Sequence, residues 1–130
     1  MISIQTQDAP AAIGPYSQAK VHGGVVFLSG QIPLDPLTGE IKGDDITAQT
    51  EQVLRNIEAV LREAGSSFAH VVKTTCFLSD MADFAAFNAL YAAKFVSKPA
   101  RSCVAVKQLP RGALVEIEAM AIVEGSGNNG

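Results

Sequence analysis

The sequence predicts an α+β domain of order β-β-α-β-α-β-β, with both helices on one face of a sheet of five or six strands. Three observations carry this reading. Short β-branched runs bounded by Gly, Pro and Asp recur along the chain. Two stretches, 46–64 and 81–95, carry apolar residues at helical spacing. Two helices set among about five or six strands point to α+β.

The first strand signal is "GGVVFLSGQ", residues 23–31, where Val25, Val26, Phe27 and Leu28 form a continuous apolar run. The preceding "YSQAKV" alternates and can pair with it through a turn at His22-Gly23-Gly24. "DPLTGE", residues 35–40, is turn chemistry, with Pro36 presetting φ. The first helix places Ile46, Val53, Leu54, Ile57, Val60, Leu61 and Ala64 along one stripe. Gln49, Gln52, Arg55, Glu58 and Arg62 fall largely opposite. Asp44 or Asp45 can cap its start and Gly65 can end it. "VVKTTCFL", residues 71–78, reads as a strand.

Ser79 or Asp80 can cap the second helix, whose stripe is Phe84, Phe87, Leu90, Tyr91 and Phe95. "SKPA" stops it, because proline disfavours helix in itself and in the residue before it. Two strands follow, roughly 101–107 and 114–123, and "LPRG" is expected to join them as neighbours. The tail "EGSGNNG", residues 124–130, is expected to be mobile. The strand at 71–78 leaves both sheet faces fairly apolar, with Thr75 and Phe77 on one and Val72, Thr74 and Leu78 on the other. Helices cover one face only, so a partner subunit is expected on the other.

The 130 residues suit one domain, 1–130, with 48% apolar and 18% charged residues. A net charge of −3 disfavours a broad nucleic-acid footprint. The cysteines, Cys76 and Cys103, form no CxxC, and His22 and His70 lie far apart, so no metal site and no cofactor are expected. The start lacks a charged, apolar leader, and no apolar run nears the ~20 residues of a membrane helix. A reducing compartment, most simply the cytoplasm, is expected.

The chemistry centres on "PARSCVAV" and "LVEIEAMAIV". In extended chain Arg101, Cys103, Ala105 and Lys107 share one face. Glu116, Glu118 and Met120 share the less apolar face of the last strand. If the two strands pair, a cation and two carboxylates can meet. That arrangement is either an ordinary exposed ion pair or an anion pocket, in which Arg101 forks a carboxylate and a glutamate handles a proton or water. Other residues have plainer alternatives. Tyr16 can be a loop aromatic packed on the core or a ligand contact. Ser29 fits a satisfied strand-end hydroxyl, Cys103 a buried thiol, and Asn88 a buried amide.

Together "APAAIGPYSQA", "SGQIPLDPLTGE", "VVKTTCFLSDMADFAAFNALYAAKF", "PARSCVAV" and "VEIEAMAI" resemble the RidA (YjgF) family, in its order, over residues 9–123. The resemblance implies a chorismate-mutase-like subunit in a homotrimeric barrel, with pockets between subunits. It implies hydrolysis of reactive enamines and imines, 2-aminoacrylate/2-iminopropanoate and 2-aminocrotonate/2-iminobutanoate, to 2-keto acids and ammonia. It implies that Arg101 clamps the substrate carboxylate and that Glu116 orients or activates water. Cys103 would offer its backbone N–H, Tyr16, Ser29 and Gly30 would close the pocket, and Asn88 would lie near it. "VSKPARS" is a few residues shorter than in many deaminase members, which bears on substrate size. Glu118 is expected to raise the pKa of Glu116. Rival readings are an endoribonuclease or translation inhibitor, a non-catalytic carboxylate binder or chaperone-like protein, and a hydrolase of a different imine.

Overall fold

The computed structural model describes residues 1–125; the expectation of a mobile tail lies mostly outside them. Six strands form one sheet: β1 (Ile2–Ile4), β2 (Ala19–His22), β3 (Val25–Gln31), β4 (Val71–Leu78), β5 (Ala100–Ala105) and β6 (Val115–Ile122). Their order across the sheet is β1-β2-β3-β6-β4-β5. Helices α1 (Ile46–Glu63) and α2 (Phe84–Lys94) pack on one face, as expected.

The first hairpin forms through Gly23 and Gly24, both at positive φ, but its first arm is Ala19–His22 rather than starting at Tyr16. Strand β1 carries no sequence signal of its own: it has three residues and only Ile4 is buried. The Asp45 carboxylate accepts the Ala48 N–H at the start of α1. At its end Gly65 takes φ 80°, and Gly65 and Ser66 donate to the Arg62 and Leu61 carbonyls, a Schellman stop. The second helix begins as a 3₁₀ turn, Met81–Asp83, capped by Asp80, before α2 proper.

Four expectations need correction. First, β5 and β6 are not neighbours. β5 lies parallel to β4 at the sheet edge, reached by an α2 crossover, while β6 inserts antiparallel between β3 and β4. The reason lies in burial. Val115, Ile117, Ala119 and Ala121 are a uniform buried row suited to a central strand, whereas β5 has no fully buried residue. Second, Gln49 and Gln52 are buried rather than solvated. Gln49 accepts the Leu114 N–H and donates to the Gly43 carbonyl. Gln52 donates to Asn56, whose amide holds the Ile32 and Leu34 carbonyls. Third, a bulge at 71–73 turns Val72 outward, so Val71 takes the core side instead. Fourth, Lys107 lies beyond the end of β5, so it does not share the strand face of Arg101.

The core fills the space between the helices and the inward rows of β3, β4 and β6, with Val53, Ile57, Val60 and Leu61 of α1 at its centre. The opposite sheet face carries Phe27, Lys73, Thr75, Phe77, Glu116, Glu118 and Met120. Among the described residues no helix packs there, and Phe27 and Met120, paired in register, stay 45% and 37% exposed.

Candidate functional site

The expected site residues fall into two groups on opposite faces of the sheet. The first group lies where β3 and β6 lose register between Leu28 and Gln31. The extra β3 residue there opens the ladder beside Glu116 and Glu118. Gly30 takes an ordinary φ, so space rather than conformation demands glycine: a Cβ would run into the Glu116 carboxylate. Glu116, Ser29, Gly30 and Tyr16 line one cleft of about 600 Å³, walled also by Ile32, Pro110 and Arg111. Ser29 donates its hydroxyl to the Ser17 carbonyl at 2.7 Å, which ties the Tyr16 loop to β3. Behind it buried Gln18 bonds Thr6, Ala9 and Pro10, fixing the N-terminal wall.

Burial raises the pKa of Glu116 above the ordinary carboxylate value, and the neighbouring Glu118 charge raises it further. The direction matches the sequence expectation, but desolvation is the larger cause. Glu116 has no ion-pair partner among the described residues.

The second group surrounds Arg101, whose neighbour across the parallel pair is Thr74, on the helix side of the sheet. Arg101 donates to Asn88 Oδ1 at 2.7 Å. Its guanidinium lies over the Tyr91 ring at 4.6 Å and near the Phe84 ring at 5.6 Å. The Tyr91 hydroxyl and Thr74 Oγ1 are 2.7 Å apart and buried. A strand, an amide and two rings thus hold the cation, and among the described residues no carboxylate pairs with it. Its remaining N–H donors are free to fork an anion. Cys103, two residues on, is half-buried on the same face. Burial raises its thiol pKa, against the pull of Arg101.

Phe84, Tyr91, Thr74 and Arg111 were not expected in the site. Phe84, Asn88 and Tyr91 are four and three residues apart, so one helix face presents them together. That spacing was a usable signal, but the apolar stripe absorbed the rings. Arg111 sits at positive φ (61°) at the rim of the cleft and bonds the Gly39 carbonyl and Glu40.

The two groups do not meet within one chain. Arg101 is level with Thr74 and Ala119, three residues along β6 from Glu116 and two strands away. With ~4.8 Å between strands and ~3.3 Å per residue, their Cα atoms stand ~14 Å apart. Their side chains then point to opposite faces, so no small ligand of one chain touches both. The expected approach of Arg101 to the glutamates within one chain is therefore corrected. Among the described residues no group of three or more His, Cys, Asp or Glu side chains could hold a metal ion, and no helix is long and apolar enough to cross a membrane.

The family described as "Endoribonuclease L-PSP" matches residues 6–123. The chain is 58% identical over 123 residues to AldR of Lactococcus lactis, which is named as a candidate regulator; the match covers 93% of this chain and 97% of AldR. It is 48% identical over 124 residues to the 2-iminobutanoate/2-iminopropanoate deaminase of Salmonella typhimurium, covering 92% and 96% of the two chains. The crystal structure of RidA from the Antarctic bacterium Psychrobacter superposes with a TM-score of 0.90 at 44% identity, over 95% of this chain and all of that one.

Proposed function

Since the chain belongs to the endoribonuclease L-PSP family, which takes in the RidA and RutC proteins, we propose that it hydrolyses small imines and enamines bearing a carboxylate. The substrates of this reading are 2-iminobutanoate and 2-iminopropanoate with their enamine tautomers, and the products are 2-keto acids and ammonia. The observation that carries it is the guanidinium of Arg101, held by Asn88 and the Tyr91 ring with no carboxylate partner among the described residues. Such a cation suits a planar carboxylate in a bidentate fork.

In this reading Arg101 fixes the carboxylate, and an N–H of the edge strand at Cys103 supports it. A water sits beside Glu116, between Gly30 and Tyr16. Glu116 as carboxylate takes the proton while the oxygen adds to the imine carbon. It then returns that proton to the nitrogen; with the imine entering protonated, the nitrogen leaves as ammonia while the carbonyl forms and the hydroxyl proton passes to solvent. A carboxyl with a raised pKa serves both halves of this exchange. Because Arg101 and Glu116 lie on opposite faces, the reading requires that one subunit supply Arg101 and another Glu116. A homotrimer whose uncovered sheet faces pack together meets that requirement. No step calls on a metal or organic cofactor.

The endoribonuclease reading has the family description behind it. Against it stand the acidic chain and the paired glutamates of the cleft, which repel phosphate. The test generates the imine in place with a threonine or serine dehydratase and follows 2-keto acid release. Wild-type protein is expected to accelerate release and Arg101→Ala to lose the acceleration. No acceleration from either amino acid overturns the reading.

A further inference from the structure

Cys76 of β4 and Cys103 of β5 are direct partners in the register of the two parallel strands, and both are free thiols. Side chains at matched positions of neighbouring strands point to the same face, here the helix side, where Thr74 and Arg101 form the next matched pair. Adjacent strands run ~4.8 Å apart, inside the ~4.4–6.8 Å Cα separation that disulfides span. The Cys76 sulfur is fully buried, donates to Thr74 Oγ1 and interacts electrostatically with Cys103, while Cys103 is half-buried on the edge strand. The catalytic reading uses the backbone of Cys103 and leaves both thiols without a task.

We infer that Cys76 and Cys103 form a dithiol that hydroperoxides convert to an intramolecular disulfide, tying β5 to β4 beside Arg101. The chemistry takes two steps. The sulfur of half-buried Cys103, on the edge strand, attacks one oxygen of the peroxide. It becomes a sulfenic acid, the O–O bond breaks, and water or an alcohol leaves. Cys76 then attacks the sulfenic sulfur, the S–O bond breaks, and the proton of Cys76 leaves with the oxygen as water. Two thiols have lost two protons and two electrons, and the peroxide has taken them up.

Burial slows both steps. It pushes the Cys76 thiol up to about 12 and also raises Cys103, though Arg101 opposes the rise at both. The pair therefore stays reduced under ordinary conditions and closes under sustained peroxide. Closure pulls the Cys103 side chain inward on the strand that carries Arg101 two residues away. The geometry of both carboxylate contacts then shifts. The link stands on the register alone; its effect on turnover rests on the deaminase reading.

The test treats the whole protein with hydrogen peroxide, blocks free thiols and digests without reductant. Trypsin releases Cys76 within 74–94 and Cys103 within 102–107. The expected result is a linked pair of these peptides, lighter by two hydrogens, that dithiothreitol separates. The kcat/KM for the imine is expected to fall roughly ten- to hundredfold with the link and to return on reduction. Cys76→Val, which keeps the buried site apolar, is expected to retain basal turnover and to lose the reversible component of inactivation. Cys76→Ala serves if the valine crowds the core. Only sulfinic acid, or only links between chains, overturns the inference. A link with unchanged turnover overturns its coupling to the site. Reduced protein with no turnover at all counts against the deaminase reading instead, and the peptide map still decides the disulfide.

Discussion

Gly30→Ala isolates Glu116 without touching it. The added Cβ would stand 2.9 Å from Cδ and 3.2 Å from Cγ of Glu116, and closer still to a carboxylate oxygen. The carboxylate must therefore swing out of the cleft. The backbone needs no adjustment, because Gly30 is at an ordinary φ, and the group displaced is the end of a half-exposed side chain. Replacing glycine where alanine fits the backbone stabilises by ~0.4–1 kcal/mol through the unfolded state. That gain offsets part of the crowding, so the melting temperature should change by only a few degrees. Turnover should change far more. A displaced proton-transfer group costs ~10²–10⁴-fold, or ~2.7–5.4 kcal/mol at ~1.36 kcal/mol per tenfold. The dehydratase-coupled assay measures this, with thermal unfolding alongside. A double-mutant cycle with Glu116→Ala sharpens it: if Gly30 acts only through Glu116, the double variant is no worse than Glu116→Ala alone. Full activity in Gly30→Ala, or additive losses in the cycle, would refute the reasoning.

Other expectations follow from the same geometry. Tyr91→Leu removes the ring beneath Arg101 and should raise KM roughly 2–30-fold, the scale of a ~0.5–2 kcal/mol cation–π contact. Tyr91→Phe keeps the ring and loses only the bond to Thr74, so it should lower stability by ~1–2 kcal/mol with KM little changed; equal KM effects in the two variants would exclude the stacking role. Glu118→Gln should move the acid limb of the pH–rate profile to lower pH, though not to that of an ordinary glutamate, because burial is the larger cause of the raised Glu116 pKa. The same shift has a stability signature. A carboxyl whose folded pKa is raised contributes stability below its unfolded pKa and loses it as pH rises through the folded one. Glu116→Gln should therefore gain in melting temperature relative to wild type as pH rises from mildly acidic to neutral, and a constant difference would exclude the shift. Finally, Arg101→Ala and Glu116→Ala chains, each inactive, should recover activity when unfolded together at equal amounts and reassembled. Random trimers would hold roughly a quarter of their pockets intact, and no recovery would place both residues in one subunit's site.

The alternation in "LVEIEAMAIV" was enough to put Glu116 and Glu118 on one face and a buried row on the other, because a two-residue period is local. What surrounds those faces is not local. The short link from β5 suggested a hairpin, but β5 has no fully buried residue, so the sheet places it at an edge and gives its centre to β6. Side-chain amides mislead for a related reason. Gln49 and Gln52 pattern like solvated residues, yet both are buried: Gln49 bonds backbone at Gly43 and Leu114, and Gln52 bonds Asn56, whose amide holds the sequence-distant Ile32 and Leu34 carbonyls. The same limit applies at the site. Both halves were legible as residue types: an arginine entering a strand, and a glutamate on a sheet face. Their relation depends on which strand lies between them. With β4 between β5 and β6, and an odd number of residues from Ala119 to Glu116, the side chains must diverge. A ligand that uses both needs two chains, and the face that would bring a second chain to Glu116 is the one this fold leaves without helices.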